Sequence, residues 1–168
     1  MARGQQSSAV QPWGGPHGHR LVYPRRMSTP PEPPAADAAQ PVLDLAGVVL
    51  DSDDPSALAD FYHRLLGWPY GTREPEWVTL RAPAGAGLSF QYEARYRPPV
   101  WPAGAGDPAM MVHLDLAVRE LAPAVAHAVA VGARLATFQP QEDVRVLLDP
   151  AGHPFCLFLE VPDHTNRG

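Results

Sequence analysis

Two residues able to move protons stand two positions apart in the run "MMVHLDLAV": His113 and Asp115. On a strand, positions i and i+2 share a face, so an Asp115 carboxylate could orient the His113 imidazole. Such a pair serves as a general base or a ligand-binding group; equally, it is a structural histidine whose tautomer the aspartate fixes. In either case two polar groups inside an apolar strand need partners, and a ligand cavity supplies them. His113 and Asp115 are therefore the candidate catalytic residues.

The same alternation in "LSFQYE" sets Leu88, Phe90 and Tyr92 on one face and Ser89 and Gln91 on the other. If a helix covers the apolar face, Ser89 and Gln91 line a site on the opposite one. Cys156 lies in the apolar run "FCLFLE", with nothing basic beside it to lower its pKa, and reads as an inert buried thiol. Trp101 in "PPVWPAG" has little core to join unless the connector folds over a site, so it is either a lid or a packing plug. His153, inside "PAGHP", reads as a solvent-exposed turn residue, and His63 and His127 as helix-surface residues. Glu160 reads as an exposed strand end. The runs "PAGAG" and "PAGAGDP" lack the ending of a phosphate loop, and no Gly-x-Ser-x-Gly elbow marks a serine hydrolase.

The elements that must position these residues are written twice. "VLDLAGVVL" reads as a buried strand running to the acidic turn "DSDDP". Asp54 then caps a helix with Pro55 in its first turn; Leu58, Phe61, Tyr62, Leu65 and Leu66 make its apolar stripe, and Gly67 ends it. A short irregular strand before Glu76 precedes "EWVTLRA" and "GLSFQYE", joined at Pro83-Ala84-Gly85. The second half follows the same order: strand "MMVHLDLAV", helix "RELAPAVAHAVAVGA" stopped by Gly132, short strand "RLATFQP", then "DVRVLLD" and "FCLFLEV" joined at Pro150-Ala151-Gly152. Pro83 and Pro150 stand 67 apart and Gly67 and Gly132 stand 65 apart, so a β-α-β-β-β module recurs with a period of about 66. One module alone leaves a sheet face uncovered, so two should pack together, helices outside and a concave cup within.

Composition narrows the function. The chain of 168 residues carries a net charge of -5, and its basic residues are scattered without an aromatic-interleaved patch, which argues against nucleic-acid binding. No apolar run approaches the roughly 20 residues that span a bilayer, so no membrane role is expected. The single cysteine excludes an internal disulfide and Cys-cluster zinc motifs, and suits a reducing cytoplasm. Residues 1–41 are Pro-rich and read as a disordered tail, of which residues 1–26 suggest a start codon set too far upstream of Met27. His17 and His19 in that tail read as bystanders rather than metal ligands.

The two modules, "DxxxxxxFY" with the following "LLGW", "HLDLAV" and "DPAGHPF" resemble the vicinal oxygen chelate superfamily: the glyoxalase, bleomycin-resistance and extradiol dioxygenase fold. Within it, "FQ", the Pro/Trp-rich linker, "HLDL" and "DPxGxxFC" are most similar to glyoxalase-like domains. The resemblance implies an α+β fold of two tandem modules forming a cup-shaped mixed sheet, over residues 42–162: module one 42–98, linker 99–108, module two 109–162, then a tail 163–168. Metal-dependent members hold a divalent ion with one residue on the first and one on the fourth strand of each module. Those positions fall here on Gly47, Ser89, His113 and Cys156, the last where such relatives carry glutamate. One strong ligand survives, so the expectation is no metal cofactor, with a rearranged site of His113, Cys156 and Asp115 or Gln91 as the alternative. The resemblance implies a small organic ligand held by Ser89, Gln91, Trp101, His113, Asp115 and Cys156. The alternatives are a lyase or isomerase using His113, and a non-catalytic homodimer with a structural or regulatory role.

Overall fold

The computed structural model describes residues 42–160; the two expected tails, with His17 and His19, lie outside them. Strand β1 (Gly47–Ser52) leads through an Asp54-capped turn into helix α1 (Pro55–Leu66). Asp54 Oδ1 accepts from the Ala57 amide at 2.9 Å, and Gly67 closes the helix in the left-handed region at φ 70. Strands β2 (Tyr70–Glu74), β3 (Trp77–Leu80) and β4 (Gly87–Tyr92) complete the first module. The second runs β5 (Leu114–Val118), α2 (Leu121–Ala130), β6 (Arg134–Leu135), β7 (Val144–Leu148) and β8 (Pro154–Leu159).

The strands form two four-stranded mixed sheets, β1-β4-β3-β2 and β5-β8-β7-β6. In each, the first strand of the module pairs in parallel with the last, and the rest are antiparallel. The duplication read from the repeated Pro-Ala-Gly is thus a duplication of topology, with that tripeptide in the turn between the last two strands each time.

Two strands begin later than their apolar runs. β1 starts at Gly47 rather than Val42, and takes in Asp51 and Ser52 from the stretch read as a turn. β5 starts at Leu114, so Met111, Val112 and His113 precede it. The reason is pairing: β4 offers partners from Gly87 to Tyr92 for Gly47 to Ser52, and β8 pairs Phe155 with Leu114. Apolar character without a neighbouring strand leaves Met111 95% and Val112 69% exposed.

The core is shared by both modules within the chain. Leu58, Phe61 and Tyr62 of α1 are buried with Val78, Leu80, Leu88 and Phe90 of its own sheet and with Leu147, Phe155 and Leu157 of the other. Tyr62 stacks on Phe90 at 5.5 Å and, with Phe61, meets Phe155 of the second module, at 6.3 and 6.0 Å, so one turn of α1 joins the two modules. Full burial of each such side chain contributes about 1.5–3 kcal/mol. Helix α2 lies against α1, where His127 Nε2 stands 3.2 Å from the Leu65 carbonyl and Arg64 donates to the Val131 carbonyl. Ala128 is its one buried residue.

Candidate functional site

The alternation that buries one sheet face presents the other. In β5, Leu114, Leu116 and Val118 pack against the core, so Asp115 and Ala117 point to the opposite side. In β8, Phe155 and Leu157 enter the core, and Cys156 and Phe158 take the other face. The parallel register sets Asp115 beside Cys156 and Ala117 beside Phe158. His113, one residue before β5, reaches the same place: its Nε2 lies 3.1 Å from Asp115 Oδ1, and the two side chains are 33% and 32% exposed.

His113, Asp115 and Cys156 thereby form a cluster in which one ligand atom from each lies within 4.8 Å of the others. The Cys156 thiol is pushed up to about 12, first by burial, then by the Asp115 charge and a hydrogen bond to that carboxylate. It is a neutral proton donor to Asp115 and a poor nucleophile at ordinary pH. One carboxylate therefore addresses two neighbours, the imidazole and the thiol.

Ser89 and Gln91 occupy the corresponding face of the first sheet, in register with Val49 and Asp51 of β1 and with Thr79 and Trp77 of β3. The modules are unequal there. Gly47, Val49 and Ser89 stand where the second module has His113, Asp115 and Cys156, while Asp51 and Gln91 stand where it has Ala117 and Phe158. The four positions that the fold's metal-dependent members use do not fit a hard divalent ion: Gly47 has no donor, Ser89 offers a neutral hydroxyl, and Cys156 replaces a carboxylate with sulfur.

Trp101 is engaged with the segment before β7. Its indole Nε1 donates to the Phe138 carbonyl at 3.3 Å and its ring tilts against Phe138 at 6.4 Å. Nearby, the Gln139 side chain bonds both backbone groups of Val146.

His153 is not the exposed turn residue expected from "PAGHP". Its side chain is 15% exposed and its Nδ1 donates to Asp149 Oδ2 at 2.9 Å, while its Nε2 stands 3.0 Å from the Tyr96 hydroxyl. Asp149 is fully buried and also accepts from Tyr62 and from the His153 amide. The hairpin folds His153 back four residues onto Asp149, and Tyr96, from the segment after β4, covers it, donating to the Ala151 carbonyl at 3.1 Å. The sequence signal for this is the aspartate before Pro-Ala-Gly, which a plain exposed turn does not require.

The sequence profile of the glyoxalase-like domain matches residues 47–158. Among solved structures, similar folds include a glyoxalase/bleomycin resistance protein/dioxygenase family enzyme from Burkholderia phytofirmans PsJN, at 20% identity and TM-score 0.55, over 71% of this chain and all 100% of that one. A glyoxalase-related enzyme from Fulvimarina pelagi aligns at 22% identity and TM-score 0.54, over 71% of this chain and 89% of that one. Identities this low carry the fold and no more. No curated protein matches the chain. Among the described residues no helix is long and apolar enough to cross a membrane.

Proposed function

Because the chain belongs to the glyoxalase-like domain family of the vicinal oxygen chelate superfamily, we propose that it binds a small organic molecule on the helix-free face of its sheets, centred on His113 and Asp115. The observation that carries this reading is the 3.1 Å His113–Asp115 pair, each side chain about one-third exposed on a face that also presents Cys156, Ala117 and Phe158. A solvated imidazole held by a carboxylate is oriented yet open on its far side, where a ligand carbonyl or hydroxyl finds a partner. Ala117 and Phe158 supply the apolar wall beside it. Gln91 and Ser89 are the polar contacts assigned to the first module, and Trp101 the residue that anchors the linker beside the second.

Thermal shift tests this with metal-free protein in EDTA against a panel of small carbonyl and hydroxy compounds. Binding to the native state alone stabilises by about 2.7 kcal/mol at a ligand concentration one hundred times Kd, which is readily measured. A compound that raises Tm for the native chain and not for His113→Ala is the expected result. A panel in which every compound shifts both proteins equally, or neither, overturns the reading.

The same pair favours a second reading, in which His113 accepts a proton from a carbon next to a carbonyl, as in a lyase or isomerase, with Asp115 stabilising the imidazolium that forms. Transfer of solvent deuterium into a bound compound by the native chain and not by His113→Ala supports it. A compound that binds and never exchanges overturns it.

A further inference from the structure

We propose that Asp51, Gln91, Trp77 and Glu74 form a site for a small organic ammonium ion with an apolar body, on the helix-free face of the first module's sheet. The inference goes beyond the reading centred on His113 and shares only Gln91 with it.

The four residues are one row across the sheet. Asp51 of β1 stands beside Gln91 of β4, Gln91 opposite Trp77 of β3, and Trp77 opposite Glu74 of β2. Their chain neighbours Leu50, Phe90 and Val78 pack in the core, so Asp51, Gln91 and Trp77 project from the other face. Glu74 follows as the pairing partner of Trp77. At about 4.8 Å between strands, the two carboxylates sit on backbone roughly 14 Å apart, with the amide and the indole between them.

The fold does not require this row. Asp51, Gln91 and Glu74 are exposed, and Trp77 is half-buried outside the core, where an indole hides little of its large surface. The same row of the second module is Ala117, Phe158 and Val144, in the same register, so neither charge nor indole is needed for the sheet to form. Among the described residues, no hydrogen bond or ion pair engages either carboxylate, the Gln91 amide or the Trp77 indole nitrogen.

Nearby arginines are turned elsewhere. Arg73, next to Glu74, lies on the helix side, 3.2 Å from Asp60 and 4.1 Å over the Tyr70 ring. Arg95 faces Glu93 at 3.9 Å. Arg81 lies over Gly71, at a position roughly 13 Å along β3 from Trp77.

Charge complementarity then names the occupant. The face of an indole attracts a cation, a carboxylate on each side balances its charge, and the Gln91 carbonyl oxygen accepts an N–H. A metal ion does not suit the row, because carboxylates three strands apart cannot close on one ion. A nucleic acid would be repelled by both. In the next row Val49, 48% exposed, offers the apolar body a place to lie.

The test uses the full chain and three probes of one shape and different charge: phenethylammonium, 2-phenylethanol and 3-phenylpropionate. The readout is nuclear magnetic resonance of the indole N–H groups; the chain has four tryptophans, and the peak lost in Trp77→Phe belongs to Trp77. Titration runs to about 20 mM, since a few exposed contacts leave Kd in the millimolar range. Phenethylammonium should move the Trp77 peak to saturation, with 2-phenylethanol about 10-fold weaker and 3-phenylpropionate weaker still. Asp51→Asn and Glu74→Gln, both at exposed positions that the fold tolerates, should each weaken phenethylammonium about 2–5-fold, whereas His113→Ala should leave it unchanged. An unmoved Trp77 peak, equal affinity for all three probes, or full affinity in the double variant of Asp51→Asn and Glu74→Gln overturns the site. A carbonyl or hydroxy compound that shifts Tm while the Trp77 peak never moves overturns this site and leaves the His113 reading standing. A saturating Trp77 peak with no compound that shifts Tm does the reverse.

Discussion

The Tyr62 hydroxyl on α1 donates to the Asp149 carboxylate at the end of β7, 87 residues away, at 3.1 Å, and neither residue touches solvent. This bond, with the aromatic contacts beside it, ties the first module to the hairpin of the second. Tyr62→Phe should cost about 1–3 kcal/mol, because a buried carboxylate loses one of its donors while the ring still packs. Urea unfolding at pH 7 measures it; a change within error would mean that the two His153 donors alone satisfy Asp149.

The same bond sets a direction with pH. Burial first, then the charge of Asp149 and the bond to it, hold the Tyr62 hydroxyl well above its ordinary value. Burial likewise raises Cys156 from 9.0 to about 12. Each folded group keeps a proton that the unfolded chain surrenders, so stability is lost as pH rises through the unfolded values, near 9 for the thiol and near 10 for the phenol. Urea midpoints between pH 7 and 11 should fall from about pH 9 upward, and less steeply in Tyr62→Phe and Cys156→Ser. A flat profile for the native chain would contradict both shifts.

Thiol reactivity separates the causes acting on Cys156. In metal-free protein, alkylation at pH 8 should be slow in the folded state and fast in urea. Asp115→Asn removes a negative charge and its hydrogen bond but leaves burial, so the pH–rate curve should move toward lower pH without reaching that of a free thiol. An unmoved curve would show that burial acts alone.

The two Pro-Ala-Gly turns should respond differently to one substitution. Gly85 has φ +72 with nothing within 4 Å of an added Cβ, so Gly85→Ala should cost about 1 kcal/mol from the backbone alone. Gly152 has φ +98 and its added Cβ would stand 2.9 Å from Pro98 Cβ, so Gly152→Ala should cost more and should loosen the linker. Thermal melts with limited proteolysis of residues 93–112 compare them; equal costs would mean that Pro98 yields freely.

Much of this fold is legible in the sequence because local chemistry decides it. Asp54, Pro55 and Gly67 bound α1 because capping and helix termination are set by neighbouring residues, and the repeated tripeptide exposes the duplication. Strand alternation predicts the shared face of His113 and Asp115, whereas the place of Cys156 beside Asp115 is set by the pairing of β5 with β8. Strand ends are harder to place: β5 begins where β8 supplies a partner, and the apolar character of Met111 and Val112 says nothing about β8. His153 escapes a local reading for the same reason, since its environment is made by Tyr96 at the end of the first module and by an Asp149 turned inward toward α1.

The two residues of β6 cover little of β7, and side chains finish what that strand leaves open. Gln139 occupies the amide and carbonyl of Val146, and the Arg145 guanidinium takes the carbonyl of Val144 at 2.8 Å. Those groups are the ones a foreign strand would use to add itself to the sheet. An edge rich in valine and leucine is the segment from which ordered aggregation starts, and here the Val146 amide and carbonyl and the Val144 carbonyl are already engaged. The second module's short edge strand is thereby kept from becoming a point of self-assembly.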